Sequence, residues 1–257
     1  MASLATTTAG DAIRPRTVMQ QNSNTKAQIV LVGASGGIGQ YLVQAFRGQH
    51  DVIGTYHANP PAEQFPDVRY LRLELQDRAG VAAFCQEVAP TLQRPVVVYA
   101  AGVSRNNLAH KCSDQDWDDT LSVNLTGAML VTRGLLPRMR DLGFGRFVYL
   151  SSVLSRTMVP GSVAYSVSKA GLSALARVVA VENAKKGITA NALALGYHEV
   201  GIISNVPKQF LEEKVLPGIP MGRLGSPQNI ANAIRFLIDS DYVTGATLDL
   251  NGGIVGA

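Results

Sequence analysis

The sequence predicts an α/β fold: one doubly wound parallel sheet of seven strands with helices on both faces. Seven short apolar runs alternate along the chain with longer segments of helical character. The runs are apolar throughout rather than at every second residue, which is typical of parallel strands buried on both faces. Charged residues make up only 16% of the 257 residues and glycines number 25, which suits buried strands joined by tight turns.

The elements follow from these runs in chain order. Strands separated by helices indicate a parallel sheet with right-handed crossovers, and no internal repeat or second linker interrupts the pattern. The strands are expected at 27–32, 51–56, 68–73, 95–100, 145–150, 188–193 and 246–250. Helical segments are expected between them, among them 37–46, 78–88, 114–139 and 163–183.

The first 26 residues differ in composition from the rest of the chain. They are rich in Thr, Ala and Gln, poor in large apolar side chains, and contain a single acid, Asp11. We expect a disordered N-terminal extension over 1–26, followed by one domain over 27–257. A transit peptide, for example to a plastid, is the alternative, because such peptides are also acid-poor and rich in hydroxyl groups.

Charge and cysteine content exclude several classes of function. The net charge of +4 is modest and no dense Lys/Arg run is present, so neither nucleic acid nor an anionic membrane is expected as a partner. Cys85 and Cys112 lack the spacing of metal ligands and the four His are scattered, so we expect no metal site and a reducing, cytoplasmic location. No apolar run reaches the roughly 18 residues of a membrane span.

A glycine-rich turn joins the first strand to the first helix, in 33-GASGGIGQYL-42. Gly33, Gly37 and Gly39 fall where a bound phosphate needs close approach of the backbone and free N–H groups at a helix N-terminus. A lone glycine cluster is often only a turn. Here a strand precedes it and an amphipathic helix follows it, which indicates a dinucleotide site.

Four polar residues further along the chain suggest chemistry. Tyr165 and Lys169 lie one helical turn apart in 162-SVAYSVSKAGLSAL-175, Asn124 lies in 122-SVNLTG-127, and Ser152 lies in 148-VYLSSV-153. Singly, each has an ordinary structural explanation, such as a cap or a surface pair. With the Gly-x-x-x-Gly-x-Gly turn, the ordered set resembles the short-chain dehydrogenase/reductase family.

The resemblance covers about residues 27–257 and implies a Rossmann fold. The stretches 187-GITANALALGYHE-199 and 242-YVTGATLDLNGG-253 are similar to late motifs of the family. The stretch 219-IPMGRLGSPQNIANAIRFL-237 resembles bacterial β-ketoacyl-ACP reductases. The family also implies a homotetramer that pairs the helices 114–139 and 163–183, and a mobile substrate lid in a helix near 203–215.

The resemblance also implies a role for each of the four polar residues. Tyr165 would be the general acid, with Lys169 supplying the positive charge that makes its ionised form accessible near neutral pH and holding the nicotinamide ribose. Ser152 would hydrogen-bond the substrate oxygen. Asn124 would hold a water that passes protons to Lys169.

The cofactor is expected to be NADP(H), with NAD(H) possible. An acid at the end of the second strand would accept the ribose hydroxyls of NAD and repel the phosphate of NADP, and 54-GTYHAN-59 contains none. Ser35, Tyr56 and His57 are the candidates for that phosphate. The full set of expected cofactor contacts is Gly33, Ser35, Gly36, Gly37, Ile38, Gly39, Tyr56, His57, Glu74, Leu75, Ala100, Ala101, Gly102, Tyr165, Lys169, Gly196 and His198.

Several positions depart from the family pattern. Val32 and Leu195 replace a usual Thr and Pro, Gly36 replaces an Arg beside the glycine turn, and Val200 replaces a Thr that commonly contacts the cofactor. The family's Asn-Asn-Ala-Gly after the fourth strand is 99-YAAG-102. These changes shift cofactor binding toward backbone groups.

The expected function is an NADPH-dependent ketoreductase that converts a carbonyl, such as that of a 3-oxoacyl thioester, to a secondary alcohol. An acyl carrier protein is a possible partner, because Lys186 matches one basic position near the site entrance in the family, while the other is Gly143 here. The alternatives are an alcohol or secondary-metabolite dehydrogenase acting on a free small molecule, and a non-catalytic nucleotide-binding protein.

Overall fold

The protein is described by a computed structural model covering residues 26–157, 159–201, 203 and 206–255. The extension expected over residues 1–26, and its alternative as a transit peptide, therefore lie outside the described residues except for Lys26. Among the residues that the structure describes, no helix is both long and apolar enough to cross a membrane.

A seven-stranded parallel sheet forms the centre of the fold, as predicted, with the strand order β3-β2-β1-β4-β5-β6-β7. The order reverses direction between β1 and β4, which opens a crevice at the carboxyl ends of these strands. The strands are β1 Gln28–Val32, β2 Asp51–Tyr56, β3 Val68–Arg72, β4 Pro95–Tyr99, β5 Gly145–Ser152, β6 Ile188–Leu195 and β7 Thr247–Leu250.

Helices cover both faces of the sheet, which confirms the predicted fold class. The helices are α1 Gly37–Phe46, α2 Arg78–Val88, α3 Asp114–Leu121, α4 Gly127–Leu142, α5 Val163–Asn183, α6 Lys208–Phe210 and α7 Pro227–Asp239. On one face, buried residues of α2, α4 and α5 such as Leu135 and Leu172 join one hydrophobic cluster. On the other face, α1 and α7 contribute Leu42 and Ile230 to a second cluster.

The central strands β5 and β6 run two residues beyond their predicted ends. Their pairing continues through Ser151↔Ala194 to Ser152↔Leu195. This extension carries the Ser152 side chain to the carboxyl edge of the sheet, beside the crevice.

The helical segment predicted at 114–139 is present, but it is not a regular α-helix throughout. A π-helical turn, Ser122–Thr126, separates α3 from α4, with the Gly127 amide donating to the Ser122 carbonyl. A π turn inserts one extra residue into a helix, and such insertions occur frequently at functional sites. Here the turn carries Asn124.

The helix predicted near 203–215 is found over 208–218, and it is irregular. That region holds only the single turn α6, a π turn over Leu211–Val215 and a 3₁₀ turn over Leu216–Gly218. Pro207 precedes the first of these turns, a position that suits proline because it lacks an amide donor.

Candidate active site

A cavity of about 590 Å³ opens at the carboxyl ends of the central strands. The glycine turn and α1 line one side of it, and the residues after β4, β5 and β6 line the others. Ser152, Tyr165 and Lys169 all line this cavity. Its position matches the place where doubly wound sheets bind ligands, at the reversal of strand order.

The glycine turn is shaped by close backbone contacts. Gly33 has φ +93°, and a Cβ there would lie 2.7 Å from the Ala101 amide nitrogen. A Cβ at Gly37 would lie 2.8 Å from the Gly201 nitrogen, and one at Gly39 would clash with the Gly33 carbonyl oxygen. Side chains are therefore excluded at these three positions, so a ligand can approach the backbone of the turn closely.

The N-terminus of α1 fits a diphosphate group. Gly36 provides no side-chain cap, and the first turn of the helix contains no acid. The first amides of a helix lack intrahelical partners and lie at the positive end of its dipole, so the turn at Gly37, Ile38 and Gly39 offers donors to an anion. Ile38 lines the cavity with the glycines on either side of it.

The carboxyl ends of β2 and β3 form an exposed charged group near this turn. His57 Nε2 makes an ion pair with Glu74, and Arg72 Nε donates to the His57 carbonyl oxygen at 3.3 Å. Tyr56 is half-buried. None of these residues lines the cavity, so the expected contacts of Tyr56, His57 and Glu74 lie at its periphery.

Three other expected cofactor contacts have mainly backbone or packing roles in the structure. The Ser35 carbonyl accepts from Gln40 Nε2 at 2.7 Å. Leu75 is buried in the core, and Ala101 packs beside Gly33. Ala100 and Gly102, on either side of Ala101, line the cavity.

Tyr165, Ser152 and Lys169 meet where the start of α5 crosses the end of β5. The Ser152 side chain lies near enough to the Tyr165 phenol to influence its pKa, and Ser152 Oγ accepts from the Leu154 amide at 3.2 Å. Lys169 is 5% exposed, and its Nζ donates to the Leu150 carbonyl oxygen at 2.8 Å and lies 5.5 Å from the centroid of the Tyr165 ring. The phenol, the hydroxyl and the ammonium thus form one compact group.

Burial shifts the pKa of both titrating groups toward their neutral forms. It lowers the pKa of Lys169 to about 8. It raises the pKa of Tyr165, and the Ser152 side chain opposes that rise. At neutral pH, Tyr165 is therefore protonated and Lys169 is mostly charged, which equips the group to donate a proton.

Asn124 is fully buried in the π turn and does not itself line the cavity. Its Oδ1 accepts from the Val103 amide at 2.8 Å, and its Nδ2 donates to the Val103 carbonyl and to Ser168 Oγ, each at 2.9 Å. A Cβ at Gly102 would lie 3.3 Å from Lys169 Nζ and 3.5 Å from Asn124 Oδ1. The two side chains therefore flank the same glycine.

His198 and Gly196 form the wall that follows β6. His198 is 5% exposed, its Nδ1 lies 3.1 Å from the Gly196 carbonyl oxygen, and burial lowers its pKa. A Cβ at Gly196 would lie 2.6 Å from Asn251 Cα, so the chain passes close to the end of β7 there.

Several lining residues were not singled out from the sequence. They are Ser104, Asn106, Leu154, Val159, Tyr197 and Ile203. All lie in the loops that follow β4, β5 and β6, and the rule that ligands bind beyond the carboxyl ends of the strands could have identified those loops.

Lys186 is not near the cavity of its own chain, contrary to the expectation for carrier docking. It precedes β6, and Gly143 precedes β5, so both lie at the amino edge of the sheet. A Cβ at Gly187 would touch the Gly143 carbonyl oxygen, which places the two turns side by side. Strand β6 separates them from the cavity by about 25 Å, from its length and the usual rise per residue.

Comparison with known proteins agrees with this geometry. Residues 33–255 match a family model described as Enoyl-(Acyl carrier protein) reductase. The chain belongs to the short-chain dehydrogenase/reductase family and is an oxidoreductase. Members of this family bind NAD(P), and the glycine turn described above fits such a dinucleotide.

Two curated relatives extend over nearly the whole chain. An acetoacetyl-CoA reductase of Rhizobium meliloti (strain 1021) is 33% identical over 235 residues, covering 87% of this chain and 96% of the relative. The 3-oxoacyl-[acyl-carrier-protein] reductase FabG of Escherichia coli (strain K12) is 31% identical, covering 90% and 98%. The chain is therefore related to ketoacyl reductases.

A solved structure supports the fold alone. The structure described as ElxO with NADP bound superposes with a TM-score of 0.79 at 22% identity, covering 91% of this chain and all of that one.

Proposed function

We propose that the protein is an NADPH-dependent ketoreductase that reduces a 3-oxoacyl thioester to a 3-hydroxyacyl thioester, with Tyr165 as the general acid. One observation carries the proposal. The Tyr165 phenol, the Ser152 hydroxyl and the buried Lys169 share a cavity with a glycine turn that fits a dinucleotide. The names of the acetoacetyl-CoA and 3-oxoacyl relatives support the choice of substrate.

The proton transfer involves four residues with separate roles. A nicotinamide dinucleotide held at the glycine turn would supply the hydride for the carbonyl carbon. Ser152 donates a hydrogen bond to the carbonyl oxygen, and Tyr165 transfers its phenolic proton to that oxygen as negative charge develops there. The Lys169 ammonium stabilises the phenolate that is left, and Asn124 orders the route by which Tyr165 regains a proton.

We propose NADPH over NADH on the basis of the charges at the ends of β2 and β3. The end of β2 carries no acid, and the cationic Arg72 lies beside His57 there. The ribose phosphate of NADPH would accept hydrogen bonds from both of these side chains. Glu74 opposes this preference because its carboxylate pairs with His57.

The cavity wall suits an acyl thioester. Leu154, Val159 and Ile203 offer apolar surface, while Ser104 and Asn106 offer polar groups joined by a hydrogen bond of 2.7 Å. The substrate class is therefore one with a short apolar chain and polar carbonyl groups. Because the Lys186 turn lies at the opposite edge of the sheet, a free small-molecule carbonyl remains a second candidate.

The test is to follow nicotinamide absorbance with NADPH and with NADH over a panel of carbonyls. The panel holds acetoacetyl-CoA, a 3-oxoacyl carrier protein, its truncated thioester mimic, a free β-keto ester and simple ketones. We expect NADPH oxidation to be fastest with the CoA or carrier thioester. Equal rates with the free ketones would favour the small-molecule dehydrogenase, and no turnover with any substrate would favour a non-catalytic protein.

We further propose a homotetramer, in line with the family. Helix α5 leaves three large apolar side chains exposed: Val167 at 44%, Val178 at 52% and Val181 at 79%. Their spacing of 11 and 3 residues places them on one face of the helix. Such a face is suited to packing against another copy of the chain.

A further inference from the structure

Tyr99, the last residue of β4, stands where the family has an asparagine, and its side chain makes an unusual contact. The side chain is 1% exposed, and its hydroxyl donates to the Val123 carbonyl oxygen at 2.5 Å. Burial raises the pKa of this phenol, so Tyr99 keeps its proton and acts as a donor. The bond joins the end of the sheet to the turn between α3 and α4.

The acceptor lies within the π turn, next to Asn124. A π turn adds one residue to a helix, which takes a carbonyl out of the regular ladder, and a buried carbonyl needs a hydrogen-bond partner. The Tyr99 hydroxyl provides that partner for Val123. It therefore fixes the turn from the sheet side, while the Asn124 amide fixes it to Val103.

The residue that follows the π turn is fitted to the same hydroxyl. A Cβ at Gly127 would lie 2.6 Å from Tyr99 Oη and 3.2 Å from the Leu75 side chain. Any larger residue at 127 would push the hydroxyl away from Val123. Tyr99, Val123 and Gly127 thus form one contact, in which a hydroxyl and a glycine complement each other.

We propose that Tyr99 is a positioning residue for the reaction: through the Val123 carbonyl, its hydroxyl holds the π turn that keeps Asn124 beside Lys169. The inference rests on the proposed reductase function. Asn124 Oδ1 and Lys169 Nζ both lie close to Gly102, so a small displacement of the turn changes their separation. Displacements of about 1 Å in such a group are enough to slow catalysis severely.

The chain supplies a matched control in Tyr149. This residue pairs with Tyr99 on the neighbouring strand β5 and is equally buried, at 1% exposed. Its hydroxyl bonds to Thr132 Oγ1 at 2.8 Å, in the regular part of α4 rather than at the π turn. Replacing either tyrosine by phenylalanine removes one buried hydroxyl and leaves the ring in place.

The experiment compares the steady-state kinetics of Tyr99→Phe, Tyr149→Phe and Asn124→Ala with the two double variants that contain Asn124→Ala. We expect Tyr99→Phe to lower kcat about tenfold and Tyr149→Phe to lower it at most about twofold, with similar losses of melting temperature. The Tyr99→Phe/Asn124→Ala double variant should be no slower than Asn124→Ala, because Tyr99 acts through that residue. Equal kcat losses in the two phenylalanine variants, or additive losses with Asn124→Ala, would overturn the inference.

Hydrogen exchange of the cofactor-free protein gives a second readout that needs no activity. Tyr99→Phe should speed amide exchange in the peptide that spans 122–126, and Tyr149→Phe should leave that peptide unchanged. Unchanged exchange in Tyr99→Phe would overturn the positioning role even in an active enzyme. If the wild-type protein has no reductase activity, the proposed function is overturned. Hydrogen exchange still tests the bond between Tyr99 and Val123 in that case.

Discussion

Tyr165 and Lys169 show how burial prepares a proton donor. Both groups lose hydration at the same place, so the phenol becomes a weaker acid and the ammonium a stronger one. At neutral pH the phenol therefore holds the proton that reduction requires. Oxidation of the alcohol would instead need the phenolate.

Replacing Tyr165 by Phe should lower kcat by about 10²- to 10⁴-fold, the usual contribution of a general acid. The Phe variant keeps the ring that packs in the cavity, so NADPH should still bind. Tyr242→Phe is the control, because Tyr242 is 97% exposed and lies outside the cavity lining. Titration of NADPH by fluorescence, together with kcat, checks both statements, and a Tyr165→Phe variant with wild-type kcat contradicts the mechanism.

The pKa of Lys169, about 8, predicts a fall in kcat/KM for NADPH as the pH rises through that value. Below it, the ammonium is charged and can stabilise phenolate and contact the cofactor; above it, the amine is neutral and this stabilisation is lost. A pH profile from 6.5 to about 10 measures the effect, because kcat/KM for the first-bound substrate reports groups of the free enzyme. Lys169→Met should have a low activity without this step. A flat wild-type profile through pH 8 rejects the assignment.

At the scale of elements, we expect the ends of β2 and β3 to set the cofactor preference. Glu74→Gln should raise the ratio of kcat/KM for NADPH to that for NADH by about fivefold, because it removes a carboxylate that repels a ribose phosphate and occupies His57. The matched control is Glu87→Gln, which also breaks an exposed ion pair, but with Arg69 near the amino end of β3. A ratio that is unchanged, or changed equally in both variants, counts against this role for Glu74.

The strands and the glycine turn were predictable because buried parallel strands are continuous apolar runs and because only glycine fits the close contacts of Gly33. The π turn at 122–126 was not predictable. Its sequence, SVNLT, continues the helical pattern of its neighbours, and the one inserted residue depends on a hydrogen bond from Tyr99, which is distant in the sequence.

The candidate site was predictable in type more than in detail. The order of Asn124, Ser152, Tyr165 and Lys169 indicated which elements meet, and the structure brings three of them to the cavity. The burial of Asn124 and the distance of Lys186 from the cavity depend on the three-dimensional path of the chain. A sequence motif gives no direct measure of either.

At the scale of the whole molecule, assembly should depend on the exposed face of α5. Val181→Glu should convert the proposed tetramer to smaller species, because a carboxylate would be buried without a partner at the interface. Glu182→Gln is the control, since it changes a charge on a neighbouring exposed residue of the same helix. Analytical ultracentrifugation measures the change, and a wild-type monomer would contradict the proposal outright.

The separation between the two edges of the sheet also bears on how the protein can be immobilised. Lys186 is exposed at the amino edge, and the cavity opens at the carboxyl edge of the same sheet. A support or label coupled at Lys186 would be attached at the edge of the sheet opposite the cavity. The cavity of the attached chain would then face the solution. Attachment chemistry directed to this turn therefore offers a way to fix the protein on a surface without covering the cavity of the attached chain.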